Sequence, residues 1–251
     1  MSLKSALLSL VTQPGYELRK YRVQRWWQRR GIHLEMAKHA KFSYDACNFC
    51  DVPPGDDAVI FDVGANIGQS SVWFSEVFPQ ATIHAFEPFS IIYKRLEETV
   101  AGRSHVHLHQ FAIGKANSEL QVAPVQDAYY QCGQIVAATQ PQGPTETIRI
   151  RSLDSFCEEQ KISHIHVLKS DTEGFDIDVL RGAERMLRAG CIHNFLTEAS
   201  IAKGDEQHTS LFALIDYLRP YSLELHGIYD MHHGRENGKL EYFNALFQLK
   251  K

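Results

Sequence analysis

Apolar and polar positions divide the chain at one clear point, the turn signal DVPPGDD at 51–57. Before it, residues 1–48 set Leu18, Tyr21, Trp26, Trp27 and Leu34 among arginines and read as helical. After it the period alternates. Short apolar runs predict strands at 58–63, 81–86 and 105–110, and helical spacing predicts helices at 68–78, ended before Pro79, and at 89–100. Further along, HIHVLKS (164–170) reads as a strand, GFDIDVLRGAERMLRAG (174–190) as a helix and CIHNFLTEA (191–199) as another strand. Strands alternating with helices imply an α/β fold with a parallel, doubly wound sheet.

Two segments break the alternation. Residues 115–151 hold strand-like SELQVAPV and TIRIR around the polar PQGPTE, which suggests an antiparallel insertion or flap. A helix at 207–219 is followed by YSLELHGIYD, the loop HHGRENG and LEYFNALFQL, a closing antiparallel hairpin on the sheet edge. The expected organisation is a helical arm over 1–50 and one α/β domain over 51–251.

Composition narrows the class. A chain of 251 residues with 44% hydrophobic and 22% charged residues can bury a full core as a single domain. A net charge of -4 argues against a dedicated nucleic-acid binder, but the charge is segregated: residues 1–41 hold nine Lys/Arg against two acids, leaving 17 basic and 28 acidic residues in 42–251. No run approaches the roughly 18 apolar residues of a membrane span, and ALLSLV is followed rather than preceded by the main positive cluster, the wrong order for a signal peptide. A cytoplasmic protein is expected. Five cysteines fit a reducing compartment, and Cys47-x-x-Cys50 lacks the second pair that a zinc site needs.

In open α/β sheets ligands bind at the carboxyl ends of the strands, and those ends are acidic here. The first strand runs into VIFDVGANIGQS (59–70), where Asp62 precedes the turn Gly64-Ala65-Asn66-Ile67-Gly68; the second ends in AFEP with Glu87 at its tip. Gly allows backbone to approach a ligand closely, and a tip carboxylate can accept both hydroxyls of a ribose. The turn lacks the third glycine of a dinucleotide site, and Asp62 beside it would repel a diphosphate. These features favour S-adenosylmethionine, which brings an adenosine for Glu87, an ammonium for Asp62 or its neighbouring carbonyls, and no phosphate. The alternative is a tight strand-helix turn with Glu87 capping the next helix.

FDVGANIGQSS, AFEP, SLDSF and above all LKSDTEGFDIDVLRGAERML resemble the FkbM family of S-adenosylmethionine-dependent methyltransferases, over about residues 58–200. The resemblance implies a class I methyltransferase (Rossmann-like) fold and O-methylation of a small hydroxylated acceptor such as a sugar, a glycolipid or a natural product. The implied cofactor set is Asp62, Gly64, Asn66, Gly68, Phe86, Glu87, Ala112 and Asp171. Two residues depart from the pattern: Ser170 stands where an aliphatic residue is expected, and Asp176 where Glu is usual.

Methyl transfer from a sulfonium requires an aligned acceptor oxygen and a group to take its proton. Lys169, Asp171 and Glu173 at the fourth strand's end and Glu198 at the fifth's are the candidates, with Asp171 or Glu173 as base because carboxylates crowded together hold protons more tightly. Asp171, Glu173 and Glu198 could also hold Mg²⁺. His226 on the closing hairpin is a further candidate base or acceptor contact, the alternative being a solvated histidine. Asp154 reads as the cap of the helix that starts LDSF. Acceptor-lining residues are expected from 124–147, the arm and 226–239. A nicotinamide-dependent oxidoreductase is the competing enzyme reading, opposed by the missing third glycine and the lack of a Tyr-x-x-x-Lys pair; a non-catalytic protein that keeps the fold is the other.

The arm is expected to meet an anionic membrane surface or a second subunit, since Arg19, Lys20, Arg22, Arg25, Arg29 and Arg30 crowd around Tyr21, Trp26 and Trp27. The alternative is an aromatic stripe packed on the domain with arginines in water. Co-sedimentation with anionic but not neutral vesicles, weakening steeply with salt, is the expected outcome; no binding to either, with loss of folding or assembly on deleting 1–41, assigns the arm to packing instead.

Overall fold

The computed structural model describes residues 50, 52, 58–123, 145–202, 204–205, 207–233 and 238–250. The arm, Cys47 and the centre of the predicted flap lie outside these residues.

A mixed eight-stranded sheet carries the fold. β1 (Val59–Val63), β2 (Thr82–Phe86), β3 (Val106–His109), β7 (Val167–Ser170) and β8 (Asn194–Ser200) pair in parallel, with β9 (Thr209–Ser210) beside β8. β11 (Leu240–Leu249) pairs antiparallel with β8, and β10 (Leu223–His233) antiparallel with β11, giving the order β10-β11-β8-β7-β1-β2-β3. The sheet is therefore doubly wound and mostly parallel with an antiparallel C-terminal hairpin, as its residue pattern predicts. The central strands are buried on both faces, which is why VIFDV reads as a near-continuous apolar run and why even Lys169 and Ser170 of VLKS are buried. The strand order reverses between β1 and β7, so the connections leaving their paired carboxyl ends part and leave a crevice there.

Helices α1 (Gln69–Val77) and α2 (Ser90–Val100) fall within a residue or two of the predicted spans, and α3 (Leu153–Gln160) begins at LDSF as expected. The cap of α3 differs: Ser152 accepts from Ser155 N, and Asp154 is used elsewhere. The predicted helix at 174–190 is two, α4 (Asp176–Arg181) and α5 (Glu184–Arg188). At the break, Gly182 packs so closely on Gly114 that an added Cβ would sit 2.1 Å from the Gly114 carbonyl oxygen. Asp154 N takes the Gly182 carbonyl at 2.8 Å, and the Asp154 carboxylate accepts from Arg185 N (2.7 Å) and Met186 N (3.1 Å). Asp154 thus caps α5, a role set by tertiary packing that periodicity does not register. The last helix, α6 (Leu211–Leu218), begins later than the predicted 207 because Thr209 and Ser210 extend the sheet.

The two departures from the family pattern meet in space. Ser170 Oγ donates to Asp176 Oδ1 at 2.5 Å, and Thr172 Oγ1 (2.9 Å) and Thr209 Oγ1 (2.7 Å) complete the cradle of this buried carboxylate. The shorter acid is matched by a hydroxyl where an aliphatic side chain would have left it one donor short.

The predicted excursion forms a small second sheet. β5 (Ser118–Val122) and β6 (Glu146–Arg151) are antiparallel, and β4 (Ala112–Ile113) runs parallel to β6. It is tied to the main body where β6 begins, as Glu146 Oε1 accepts from Ser90 N at 2.8 Å and caps α2. No helix among the described residues is long and apolar enough to cross a membrane.

Histidines line the β3 edge. His84 Nδ1 and His109 Nε2 lie 3.0 Å apart within a stack that includes His107, Phe86 and Phe156. Burial, followed by the charges of His109 and His107, pushes His84 down to about 3; burial, followed by His107 and Arg151, pushes His109 down to about 4. Both folded values lie below the ordinary imidazole value of about 6.5, so the unfolded chain takes up protons first on acidification. This part of the stability is complete above about pH 6.5 and drains as pH falls through it toward 4 and 3. His109→Gln is expected to flatten the loss of stability over that window in denaturant titrations; an unchanged slope would show that the pair does not govern it.

Candidate active site

The crevice between the β1 and β7 tips is closed by a buried cation. Lys169 on β7 sits opposite Asp62 on β1 and is almost fully buried. Its Nζ lies 3.1 Å from Asp62 Oδ1 and 3.6 Å from Asp171 Oδ2, and donates to the Gly64 carbonyl at 3.0 Å. Burial alone would favour loss of the proton, but the charges of Asp62, Asp171 and Glu198 and the hydrogen bond to Asp62 outweigh it and hold the ammonium above the ordinary lysine range. Asp62 Oδ2 accepts from Ser70 Oγ (2.6 Å) and Ser71 Oγ (2.5 Å) in the first turn of α1, where the helix dipole also favours negative charge.

Above this ion pair the β1 turn folds onto the end of β2. Gly64 N and Ala65 N both donate to the Phe86 carbonyl, at 3.1 and 3.0 Å. Gly64 has φ +72°, and a Cβ there would lie 2.1 Å from the Asp171 carbonyl oxygen, so only glycine allows the β1 and β7 tips to approach. Glu87, at the β2 tip, is buried; its Oε2 accepts from Asn66 N (3.1 Å) and its Oε1 from Phe89 N (2.9 Å). Burial pushes Glu87 up to about 7 against those two hydrogen bonds and the attraction of Lys169.

A pocket open to solvent lies over these tips. Of the sequence candidates it brings together Gly64, Asn66, Phe86, Glu87, Ala112, Asp171 and Glu173. Phe89, Ile92, Ile113, Thr172 and Phe175 also line it and escaped the sequence reading. The available signal was position: all lie within five residues of the AFEP and K-S-D-T-E-G motifs or beside Ala112.

Several expected contacts are placed elsewhere. Asp62 is fully buried beneath the pocket and bound by Ser70, Ser71 and Lys169, so it anchors the turn rather than meeting a ligand ammonium. Gly68 faces α2: with φ +95°, its Cβ would lie 2.8 Å from Leu96 Cδ1, so its need is helix packing. Lys169 is a buried structural cation outside the lining. His226 is exposed in the middle of edge strand β10, with β11, β8 and β7 between it and β1.

The anticipated crowd of carboxylates gathers around a cation instead of standing alone. The charge beside Asp171 is the Lys169 ammonium, while Glu198 Oε2 faces His208 Nε2 at 3.6 Å. Glu173 lines the pocket from a left-handed turn, φ +52°. Among the described residues no group of three or more His, Cys, Asp or Glu is arranged to hold a metal ion, so Asp171, Glu173 and Glu198 do not fit Mg²⁺.

Comparison with known proteins agrees with this geometry. The family described as "Methyltransferase FkbM domain" matches residues 62–227, a span containing the turn, Glu87, Lys169 and the small sheet. The chain belongs to the FkbM methyltransferase family. It is 28% identical over 190 residues to Methyltransferase 1 of Beauveria bassiana, covering 66% of this chain and 74% of that protein. It is 27% identical over 184 residues to the 2-O-methyltransferase NoeI of Sinorhizobium fredii, covering 66% and 73%. Among solved structures, methyltransferase FkbM from Methylobacillus flagellatus superposes with a TM-score of 0.55 at 16% identity, over 82% of this chain and 47% of that one. This chain thus spans under half the length of that relative, and the likeness is one of class I methyltransferase fold.

Removing the cation tests the closure. Lys169→Met is expected to cost about 3–5 kcal/mol, because it strands the buried Asp62 charge, and adding Asp62→Asn is expected to recover much of the loss. Denaturant unfolding of the single and double variants reads this; strictly additive losses would show that the two residues do not act as a pair.

Proposed function

We propose that this FkbM-family protein is an S-adenosylmethionine-dependent O-methyltransferase acting on a hydroxyl of a small acceptor, with a sugar as the acceptor class. The observation that carries the cofactor reading is Glu87. A carboxylate offers about four lone-pair sites, and Asn66 N and Phe89 N use two, which leaves acceptors at the pocket wall for the two hydroxyls of a ribose. Phe86, Phe89, Ile92, Ala112 and Ile113 supply an apolar wall suited to an adenine. The backbone N–H groups of the turn from Gly64 to Gly68 all donate within the protein, to Phe86, Glu87, Asn66 and Ala65, rather than facing a diphosphate, which counts against the nicotinamide reading. The cofactor when bound supplies an electrophilic methyl group on a sulfonium.

The chain's own residues bind and orient. Gly64 and Asn66 hold the turn open to close backbone approach, and Lys169 beneath them fixes the β1 and β7 tips relative to each other. Asp171, Thr172, Glu173 and Phe175 border the pocket on the β7 side, from which an acceptor hydroxyl would approach. The O-methyl reading is supported by the relative that carries 2-O-methyltransferase in its name.

Calorimetric titration with S-adenosylhomocysteine and with NAD separates the readings: binding of the first alone is expected, and binding of neither would favour a non-catalytic protein. Glu87→Ala is expected to weaken S-adenosylhomocysteine binding by about 1–3 kcal/mol. Because Glu87 sits near 7, binding is also expected to strengthen as pH rises through that value, and Glu87→Gln to remove the trend. Unchanged affinity in a folded Glu87→Ala variant would remove it from the ribose role. Mass-spectrometric detection of methyl transfer to a panel of methyl glycosides tests the acceptor class.

A further inference from the structure

A second polar cluster stands at the same edge of the sheet, over the tips of β8, β11 and β10. His208 follows β8 in a short irregular segment, and Asp205 in the same segment binds it twice: His208 N donates to Asp205 Oδ1 at 3.0 Å, and His208 Nδ1 lies 3.0 Å from Asp205 Oδ2. Burial would raise Asp205, but hydrogen bonds from His208, Ser200 and Gln207 more than offset it and hold the carboxyl below its ordinary range. An ionised carboxylate has no proton to give, so the hydrogen between the two groups belongs to Nδ1. Nε2 therefore carries the ring's lone pair when the imidazole is neutral, and it points toward Glu198 Oε2 at 3.6 Å, beyond direct hydrogen-bond reach.

The ring is held in place. Tyr242 on β11 stacks on His208 with centroids 4.4 Å apart and planes 11° apart, and on His232 of β10 at 4.4 Å and 10°. Among the described residues, the titratable groups that face His208 are Asp205 on its own segment, Glu198 on β8 and Tyr242 on β11, with His232 behind Tyr242. The cluster is also joined to the pocket. Thr209, the residue after His208, shares the Asp176 carboxylate with Thr172, which lines the pocket. Glu198, from the other side, adds to the field that keeps Lys169 charged.

We propose that His208, oriented by Asp205 and held by the Tyr242 ring, is the general base that takes the acceptor hydroxyl's proton. The proposal rests on the O-methyltransferase reading above. As the acceptor oxygen bonds to the methyl carbon, the carbon–sulfur bond breaks with its electron pair left on sulfur, and the hydroxyl proton passes to His208 Nε2. Asp205 and Glu198 then flank the imidazolium and balance its charge. This assignment replaces Asp171, which faces a cation, with a histidine whose second nitrogen is already bound to a carboxylate, the arrangement that orients a catalytic base.

The test has an arm that needs no acceptor. In the S-adenosylhomocysteine complex of the full chain at about pH 8, above the ordinary imidazole value, ¹⁵N imidazole NMR is expected to find His208 as the Nδ1–H tautomer. The Nε2–H tautomer, or a ring still doubly protonated, overturns the proposal. In the second arm, His208→Gln is expected to lower methyl transfer to the best-used methyl glycoside by about 10²–10⁴-fold, with S-adenosylhomocysteine affinity held within about twofold and partial rescue by added imidazole. Asp205→Asn is expected to retain binding and lose turnover in the same direction. Full turnover in His208→Gln, or turnover lost together with cofactor binding and beyond rescue, overturns the base assignment. Should the wild type methylate no glycoside while binding S-adenosylhomocysteine, the sugar reading fails by itself and the tautomer decides His208.

Discussion

The burial of Lys169 between Asp62 and Asp171 is the constraint on which the rest of the site depends. At a switch point the connections leaving two paired strands part to opposite sides, and the residues just past the tips must be held in place. Here a single ammonium holds them, reaching a carboxylate on each side and the carbonyl of Gly64 above. A buried ion pair of this kind is weak as a source of net stability but costly to break, so its effect is to fix one geometry of the two tips. Gly64 meets the Asp171 carbonyl closely because it carries no Cβ, and the ammonium beneath binds the Gly64 carbonyl itself.

That closure also divides the acidic residues by task. Asp62 and Asp176 are buried and consumed by serine and threonine hydroxyls, and they hold elements together. Glu87 is buried yet borders the pocket, with backbone N–H groups taking only part of its capacity. Asp171 and Glu173 stay partly open to solvent on the pocket rim. Identical chemistry thus serves anchoring, recognition and surface lining, and the difference lies in which partners surround each carboxylate.

Much of this was legible in the sequence, and the misses share a cause. Strands β1, β2, β7 and β8 and helices α1 and α2 follow from periodicity because burial on a strand or a helix face writes directly into residue order. Glu87 and Gly64 were visible because their roles are set by position at a strand tip. Asp62 and Lys169 were recognised as important but given the wrong task, since whether a charged residue faces a ligand or another strand depends on cross-strand register, here Asp62 opposite Lys169. The break at Gly182 and the true cap of α5 depend on Gly114 and Asp154, dozens of residues away. His208 was passed over among 13 histidines because Glu198 and Tyr242 reach it only through the fold, and Asp205 three residues before it is a local signal that periodicity does not weigh.

The contact between Ser170 and Asp176 bears on how such a chain can change over generations. A lone reversion of Ser170 to an aliphatic residue would leave the buried carboxylate one donor short, and a lone lengthening of Asp176 would press an extra methylene into a cradle already filled by Thr172 and Thr209. Each single step descends before the second restores the balance, so the two positions form a small ratchet. In lineages sharing this arrangement the pair should be inherited as a unit, and designers grafting a family consensus onto this chain would do well to exchange both together or neither.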